Sequence, residues 1–382
     1  MKSRIEELDA LRGVMLLWMT CTHLPTILSV YVNQPFGFFA ATEGFIFLSA
    51  LFSGRICAGI VERRGHWMMC RDMWRRAGRL YLYQLLLLAF AFVIEAPIAA
   101  RGNRPAVHNL LNYYFVVGHS RAFLDAAIMI YRPPLLDILP IYIIFLALTP
   151  FAVLVGSRPG WRYAFGASGA LWLLAQFGFQ NVVYQMLTRA FHLQIPLSEM
   201  GAFNLWAWQL WWLVGVWLGV RWAKHDLPVE AWAKKLTLPA LALALLFLVL
   251  RYLQLQTNLD FGRLAPLFDK WNFGIVRIFD FTAAALLLIR LRTVLKPLAI
   301  RPLVMLGQAS LPVFCIHLLC VFLALTIMGN NAFITGWRAV ALVVGSISAL
   351  MVTAVVVIRN RERNRAAQAG VLPLKIHAPR AT

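Results

Sequence analysis

Arg12 and His23 stand eleven residues apart in the run LRGVMLLWMTCTHLP. At 100° per residue that step closes to within about 20°, so both side chains share one stripe of a helix, with Asp9 near it. An imidazole exchanges a proton near neutral pH, and a guanidinium grips carboxylate or phosphate oxygens through paired donors. Both are costly to hold in lipid. With Arg12 at one membrane boundary, His23 lies roughly 16 Å deep, at or slightly beyond the bilayer midplane. Groups at that depth face a protein interior or a wet cavity, so His23 either hydrogen-bonds a neighbouring helix or does chemistry.

Five more ionisable residues converge on the same layer. Glu43, in FGFFAATEGFIFLSALFSGR, falls about 9 Å below the outer surface for a span that starts near Gly37. Asp137 stands close to the outer end of its span in RPPLLDILPIY, and Arg277 and Asp280 are i, i+3 neighbours in GIVRIFDF, similarly placed. His317, in GQASLPVFCIHLL, is about 21 Å from a cytoplasmic start near Leu303. Polar residues scattered at random would occupy both leaflets, so the convergence predicts a water-accessible cavity open to the periplasmic side. Structural roles compete: Arg277 can pair with Asp280, and Asp137 can cap the fourth span ahead of Pro140.

On the other side, ERRGHWMMCRDMWRRAGRLY places Arg71, Arg75 and Arg79 at i, i+4 and i+8. One helical face can therefore present guanidinium forks to phosphates, or anchor to anionic lipid. The same stretch holds His66 and Asp72, one position too far apart for an H-x-x-x-x-D acyltransferase signature. A histidine, a carboxylate and an outward cavity above a phosphate-binding face suggest group transfer across a membrane. They do not name the group.

The elements that position these residues follow from composition. The chain has 382 residues, 61% of them hydrophobic and only 14% charged, with a mean hydropathy of +0.70. Such apolar surface exceeds what an aqueous core can bury. Runs of roughly 20 apolar residues predict about ten transmembrane helices, an all-α polytopic bundle. They are centred on 11–31, 38–60, 80–100, 135–155, 163–178, 205–222, 237–253, 274–291, 303–328 and 337–358. Alternate loops collect the basic residues: Lys2 and Arg4, Arg63 to Arg79, Arg158 and Arg162, Lys224 to Lys235, Arg292 to Arg301, and Arg359 to Arg365. By the positive-inside rule both termini are cytoplasmic. The formal charge of +20 is thus topological, and nucleic acid is not an expected partner. Membrane lipid is.

Residues 1–358 read as one membrane domain and 359–382 as a short basic tail, expected to be disordered. The acidic EELDA and the missing A-x-A site argue for a retained first span rather than a signal peptide. Cys21, Cys57, Cys70, Cys315 and Cys320 show neither a C-x-x-C pair nor metal-ligand spacing, so neither disulfide nor metal is expected. No nucleotide-binding loop and no internal repeat is present. Trp206, Trp208, Trp211 and Trp212 fit an interfacial aromatic belt, with sugar stacking as the alternative.

Several of these stretches resemble the acyltransferase-three superfamily of membrane O-acyltransferases. LDALRGVMLLWMTCTHLP is similar to its first span, a basic residue, ten residues and a histidine, matched by Arg12 and His23. FGFFAATEGFIFLSALFSG resembles the OpgC-type branch through Glu43, Gly44 and Phe45, with Ser49-Ala50 where Ser-Gly is usual. RRAGRLYLYQ is similar to the arginine motif, PPLLDILPIYI to a stretch of the OpgC branch, and LGQASLPVFCIHL to the Ser-to-His element. The resemblance implies an inner-membrane, OpgC-type succinyltransferase that moves an acyl group from succinyl-CoA to an osmoregulated periplasmic glucan of largely β-1,2-linked glucose. It implies no tightly bound cofactor, and it is compatible with an oligomer.

With those reactants, His23 is the expected general base for the glucan hydroxyl, Glu43 the group that orients it, and Ser310 an oxyanion donor. Arg75, Arg76 and Arg79 are expected to hold the CoA phosphates, and Arg12 to guide the pantetheine or pair with Asp9. Asp137, Arg277, Asp280 and His317 are expected to line the acceptor site. An acyl-His23 intermediate stays open. The rival class is a transporter or flippase of a glycan or acyl carrier that performs no chemistry.

Overall fold

The computed structural model describes residues 6–102, 104–157, 160–328 and 333–370. Lys2, Arg4, Arg158 and residues 371–382 lie outside them. Regular structure among the described residues is helical, beside an isolated bridge between Thr26 and Ile334. Helix α1 (Glu6–His23) stops early. Pro25 disfavours helical backbone at Leu24 and has no N–H to continue the ladder, so the expected span to residue 31 breaks after His23. A short helix, Leu28–Val32, follows.

Helix α2 (Ala41–Ala89) joins two expected spans into one rod, bent at Gly65, whose φ of 79° a side chain would resist. A π-helical turn, Phe90–Glu95, extends it, and Thr326 hydrogen-bonds the buried Glu95 there. Then come α3 (Ile138–Ser157), α4 (Trp161–Gln176), α5 (Leu205–Ala223), α6 (Thr237–Thr257) and α7 (Ile275–Arg290). Helices α8 (Arg301–Gln308) and α9 (Ser310–Met328) split the expected 303–328 span at Ala309, and Pro312 sits in the first turn of α9, where its missing N–H costs nothing. Helix α10 runs from Gly336 to Gly370. The segment 359–370 is therefore helical rather than disordered, which suits its Arg, Glu, Ala and Gln content.

Five helical stretches are long and apolar enough to cross a membrane: Ala41–Gly102, Ile138–Gly156, Thr237–Thr257, Ser310–Met328 and Gly336–Ala367. Helix α6 buries only 11% of its most apolar stretch, leaving the rest outward as a lipid-facing helix does.

The centre is held by close backbone approach. A Cβ on Gly13 of α1 would meet the Leu303 carbonyl oxygen at 2.1 Å, and one on Gly307 would meet that of Asp9 at 1.8 Å, so α1 and α8 touch main chain to main chain. Helices α2 and α5 do the same, with Gly54 against Val216 and Gly219 against Leu51. Small residues are what allow such contact in membranes, where dispersion replaces the hydrophobic drive. Ala50, in the place where Ser-Gly is usual, is fully buried and faces Gly215 of α5. The methyl group is accommodated by a glycine on the opposing helix.

Candidate functional site

His23 is the last residue of α1, and its ring meets α9. Its Nδ1 lies 3.1 Å from His317 Nε2, with ring centroids 5.2 Å apart and planes inclined by 24°. His317 is fully buried, whereas His23 is only half-buried. Phe314, one turn earlier on α9, stands 5.4 Å from the His317 ring and stacks on Phe45 of α2. The inner imidazole is clamped and the outer one remains reachable.

Glu43 does not orient His23. Its Oε1 accepts from Arg277 Nε at 2.7 Å and also from Nη2, and its Oε2 accepts the Ala40 N–H at 3.0 Å. The second bond caps the start of α2. Trp211 of α5 donates to the Glu43 carbonyl at 3.2 Å. Glu43 and Arg277 are 0% and 1% exposed, so this ion pair ties α2 to α7 where breaking it would strand a buried charge.

The expected Arg277–Asp280 pair is accordingly absent. Asp280 turns to the loop before α2, where its Oδ2 accepts the N–H groups of Phe38 at 2.6 Å and Phe39 at 3.3 Å. Gly37 makes that approach possible: its φ is 132°, and a Cβ there would fall 2.3 Å from the carboxylate. Asp280 Oδ1 is buried without a partner among the described residues.

Arg12 donates to Ser310 Oγ at 2.6 Å and lies 5.1 Å over the Phe52 ring. Ser310 therefore serves Arg12 as an acceptor, and seven residues of helix separate it from His317, about 10 Å along α9. That places it too far from the imidazole pair to act as an oxyanion donor there. Asp137 accepts the Ala202 N–H at 3.1 Å and fastens the 197–204 loop to the start of α3.

Arg75 and Arg79 are exposed, and Arg76 is half-buried against Met73. A cavity of about 510 Å³ between the start of α1 and the C-terminal end of α7 gathers more charge, being lined by the exposed Lys234, Arg290, Arg292 and Lys296 with Glu7 and Glu230. Arg292 contacts both acids, at 3.4 and 3.5 Å. Three of the four tryptophans expected in a belt lie in the core, and Trp206 is half-buried. Trp208, Trp211 and Trp212 are buried, each with its indole N–H on an acceptor.

The histidine pair, the Glu43–Arg277 pair and the Asp280 clamp join residues more than 200 positions apart. Lys270 and Arg132, which escaped the reading of spans because they stand in loops, lie within electrostatic range of Asp137. Their only sequence signal was a basic residue on the side where few occur. Among the described residues no trio of His, Cys, Asp and Glu is grouped to hold a metal ion.

A family model described as OpgC protein matches residues 4–362. Neither a curated protein nor a solved structure matches the chain. The family match runs through both histidines, the buried ion pair and four of the five apolar helices of membrane length, and ends inside the fifth. The chain thus belongs to the OpgC family and is a transferase of glucan modification.

Proposed function

We propose that this protein is an inner-membrane O-acyltransferase that moves a succinyl or related acyl group from cytoplasmic acyl-CoA to a hydroxyl of a periplasmic glucan. About ten helices cross the membrane in this reading, with both termini in the cytoplasm. The His23–His317 pair carries it. A hydrogen bond between two imidazoles needs one proton between them, and with His23 Nδ1 as donor the His23 Nε2 lone pair is free. That nitrogen takes the proton of the glucan hydroxyl as its oxygen attacks the thioester carbonyl. When the tetrahedral intermediate collapses, the C–S bond breaks and the imidazolium returns its proton to the CoA sulfur. His317 holds the ring and its tautomer, as the third member of a triad does.

The donor enters from the far end of α1. Glu7, at the mouth of the 510 Å³ basic cavity, and His23 are sixteen residues apart, about 24 Å of helix. A pantetheine arm is an extended chain of comparable reach. Arg12 and Ser310 stand between the two ends and suit its amides. Lys234, Arg290 and Lys296 hold the phosphates in this reading, ahead of Arg75, Arg76 and Arg79, because they converge on one cavity from three segments and can grip several phosphate oxygens together.

The test is the mass of a glucan after incubation with purified protein and succinyl-CoA. A gain of one or more succinyl units supports the proposal. A flippase without chemistry would leave the mass unchanged.

A further inference from the structure

Lys270 grows from a loop that is fixed along its length. Trp271 N–H and the Asn272 amide donate to the Asp269 carboxylate at 2.9 and 2.6 Å. The Trp271 carbonyl accepts from the Asn204 N–H at 3.0 Å and the Trp208 indole at 3.2 Å, and that of Phe273 accepts from Trp172 at 3.0 Å. Phe273 has a φ of 48°, left-handed backbone that a bulky residue adopts only when its surroundings hold it. Its fully buried ring lies 4.7 Å from Trp208 and 5.2 Å from Trp211, the residue bonded to Glu43. The lysine thus has a rigid base over the buried ion pair.

The half-buried Lys270 places its ammonium 5.0 Å over the Trp271 ring. It stands within electrostatic range of Glu43, Arg277, Asp137 and His23. The nearby carboxylates are engaged elsewhere, Glu43 by Arg277 and Asp137 by the Ala202 N–H. No salt bridge joins Lys270 to an acid among the described residues. Burial holds its ammonium below the usual lysine range. A cation drawn out of water without a contacting anion is costly to keep.

The reaction names the missing anion. A glucose polymer offers hydroxyls and no charge, and the CoA phosphates belong to the other end of α1. What remains is the distal end of the acyl group. We infer that Lys270 is a specificity-determining residue that binds the free carboxylate of a dicarboxylic acyl group whose thioester carbonyl lies at His23. This inference rests on the acyl-transfer reading and deepens it, because it selects succinyl-like donors over acyl chains that end in a methyl group.

The experiment compares succinyl-CoA with butyryl-CoA, equal in carbon number, as donors for the purified full-length protein and a β-glucan. The wild type is expected to favour succinyl-CoA by tenfold or more in kcat/KM, the yield of one charge-assisted contact. Lys270→Gln should shrink that ratio by tenfold or more, and Lys270→Arg should retain much of it. An unaltered ratio in Lys270→Gln, or equal behaviour of the Gln and Arg variants, overturns the assignment. Equal use of both donors by the wild type overturns it without any variant. No transfer by the wild type from either donor overturns the acyl-transfer reading itself, a result distinct from transfer with an unchanged ratio.

Discussion

His23, at the tip of α1, and His317, in the middle of α9, are joined ring nitrogen to ring nitrogen at 3.1 Å, with the second sealed in the core and the first reachable. The difference in exposure divides their roles. In the proposed reaction His23 meets the reactants and His317 holds it.

His23→Ala should therefore lower the turnover of acyl transfer by roughly 10²–10⁴, the span typical of a lost general base. His317→Ala should cost about 10- to 100-fold, since it removes one hydrogen bond to a group that charges during the reaction. His317→Gln, whose amide oxygen can accept from His23 Nδ1, should recover part of that loss. Steady-state rates on protein of matched monodispersity check all three. A His317→Gln variant no better than His317→Ala would assign His317 to packing alone.

Glu43 and Arg277 should behave as a unit in stability. Arg277→Met alone leaves a buried carboxylate, and Glu43→Leu alone leaves a buried guanidinium. Each is expected to cost about 3–5 kcal/mol, while the double variant should regain much of it. Thermal unfolding in detergent reads the difference. Additive losses in the double variant would mean that the pair is not coupled.

The two basic regions can be separated by the length of the donor. Lys234→Ala with Arg290→Ala and Lys296→Ala should raise the apparent KM for intact succinyl-CoA by tenfold or more, at ~1.5 kcal/mol per charge-assisted contact. A succinyl thioester without the nucleotide should be nearly indifferent to the change. Arg75→Ala with Arg79→Ala should affect both donors equally through yield or topology. The reverse pattern would move the phosphate site to the open face of α2.

Gly13→Val tests the seam between α1 and α8. A Cβ there would fall 2.1 Å from the Leu303 carbonyl oxygen, so the helices must part by far more than a rotamer change can absorb. Overpacking of a core costs typically 1–3 kcal/mol, and backbone-to-backbone contact leaves no flexible side chain to yield. Loss of monodisperse protein on size-exclusion chromatography is expected. Normal yield and activity would show that α1 can shift without harm to His23.

The first helix was readable because its information is local. Eleven residues at 100° each place His23 over Arg12 whatever the rest of the chain does. Glu43, Asp137, Arg277, Asp280 and His317 were legible as a set, since charge inside an apolar run is conspicuous. Their partners were not. Arg277 faced Asp280 one turn away and Glu43 across 234 positions, and only the arrangement of α2 against α7 decides for the distant carboxylate. The tryptophans misled for the same reason: a belt and a core share one composition. The termination of α1 was legible in Pro25, yet hydrophobicity running on past it argued for a longer span.

That early stop carries an electrical consequence. The peptide dipoles of α1 sum along eighteen residues and leave the negative pole at the tip, beside the imidazole of His23. A ring that becomes an imidazolium while it accepts a proton does so where a partial negative charge already waits, a benefit of up to about 2 kcal/mol in partly buried geometry. Had the helix run on to residue 31, the same histidine would sit about two turns inside its end, beyond the last turn in which the dipole is felt. Pro25, by ending the helix at His23, thereby decides which part of a dipole the imidazole meets.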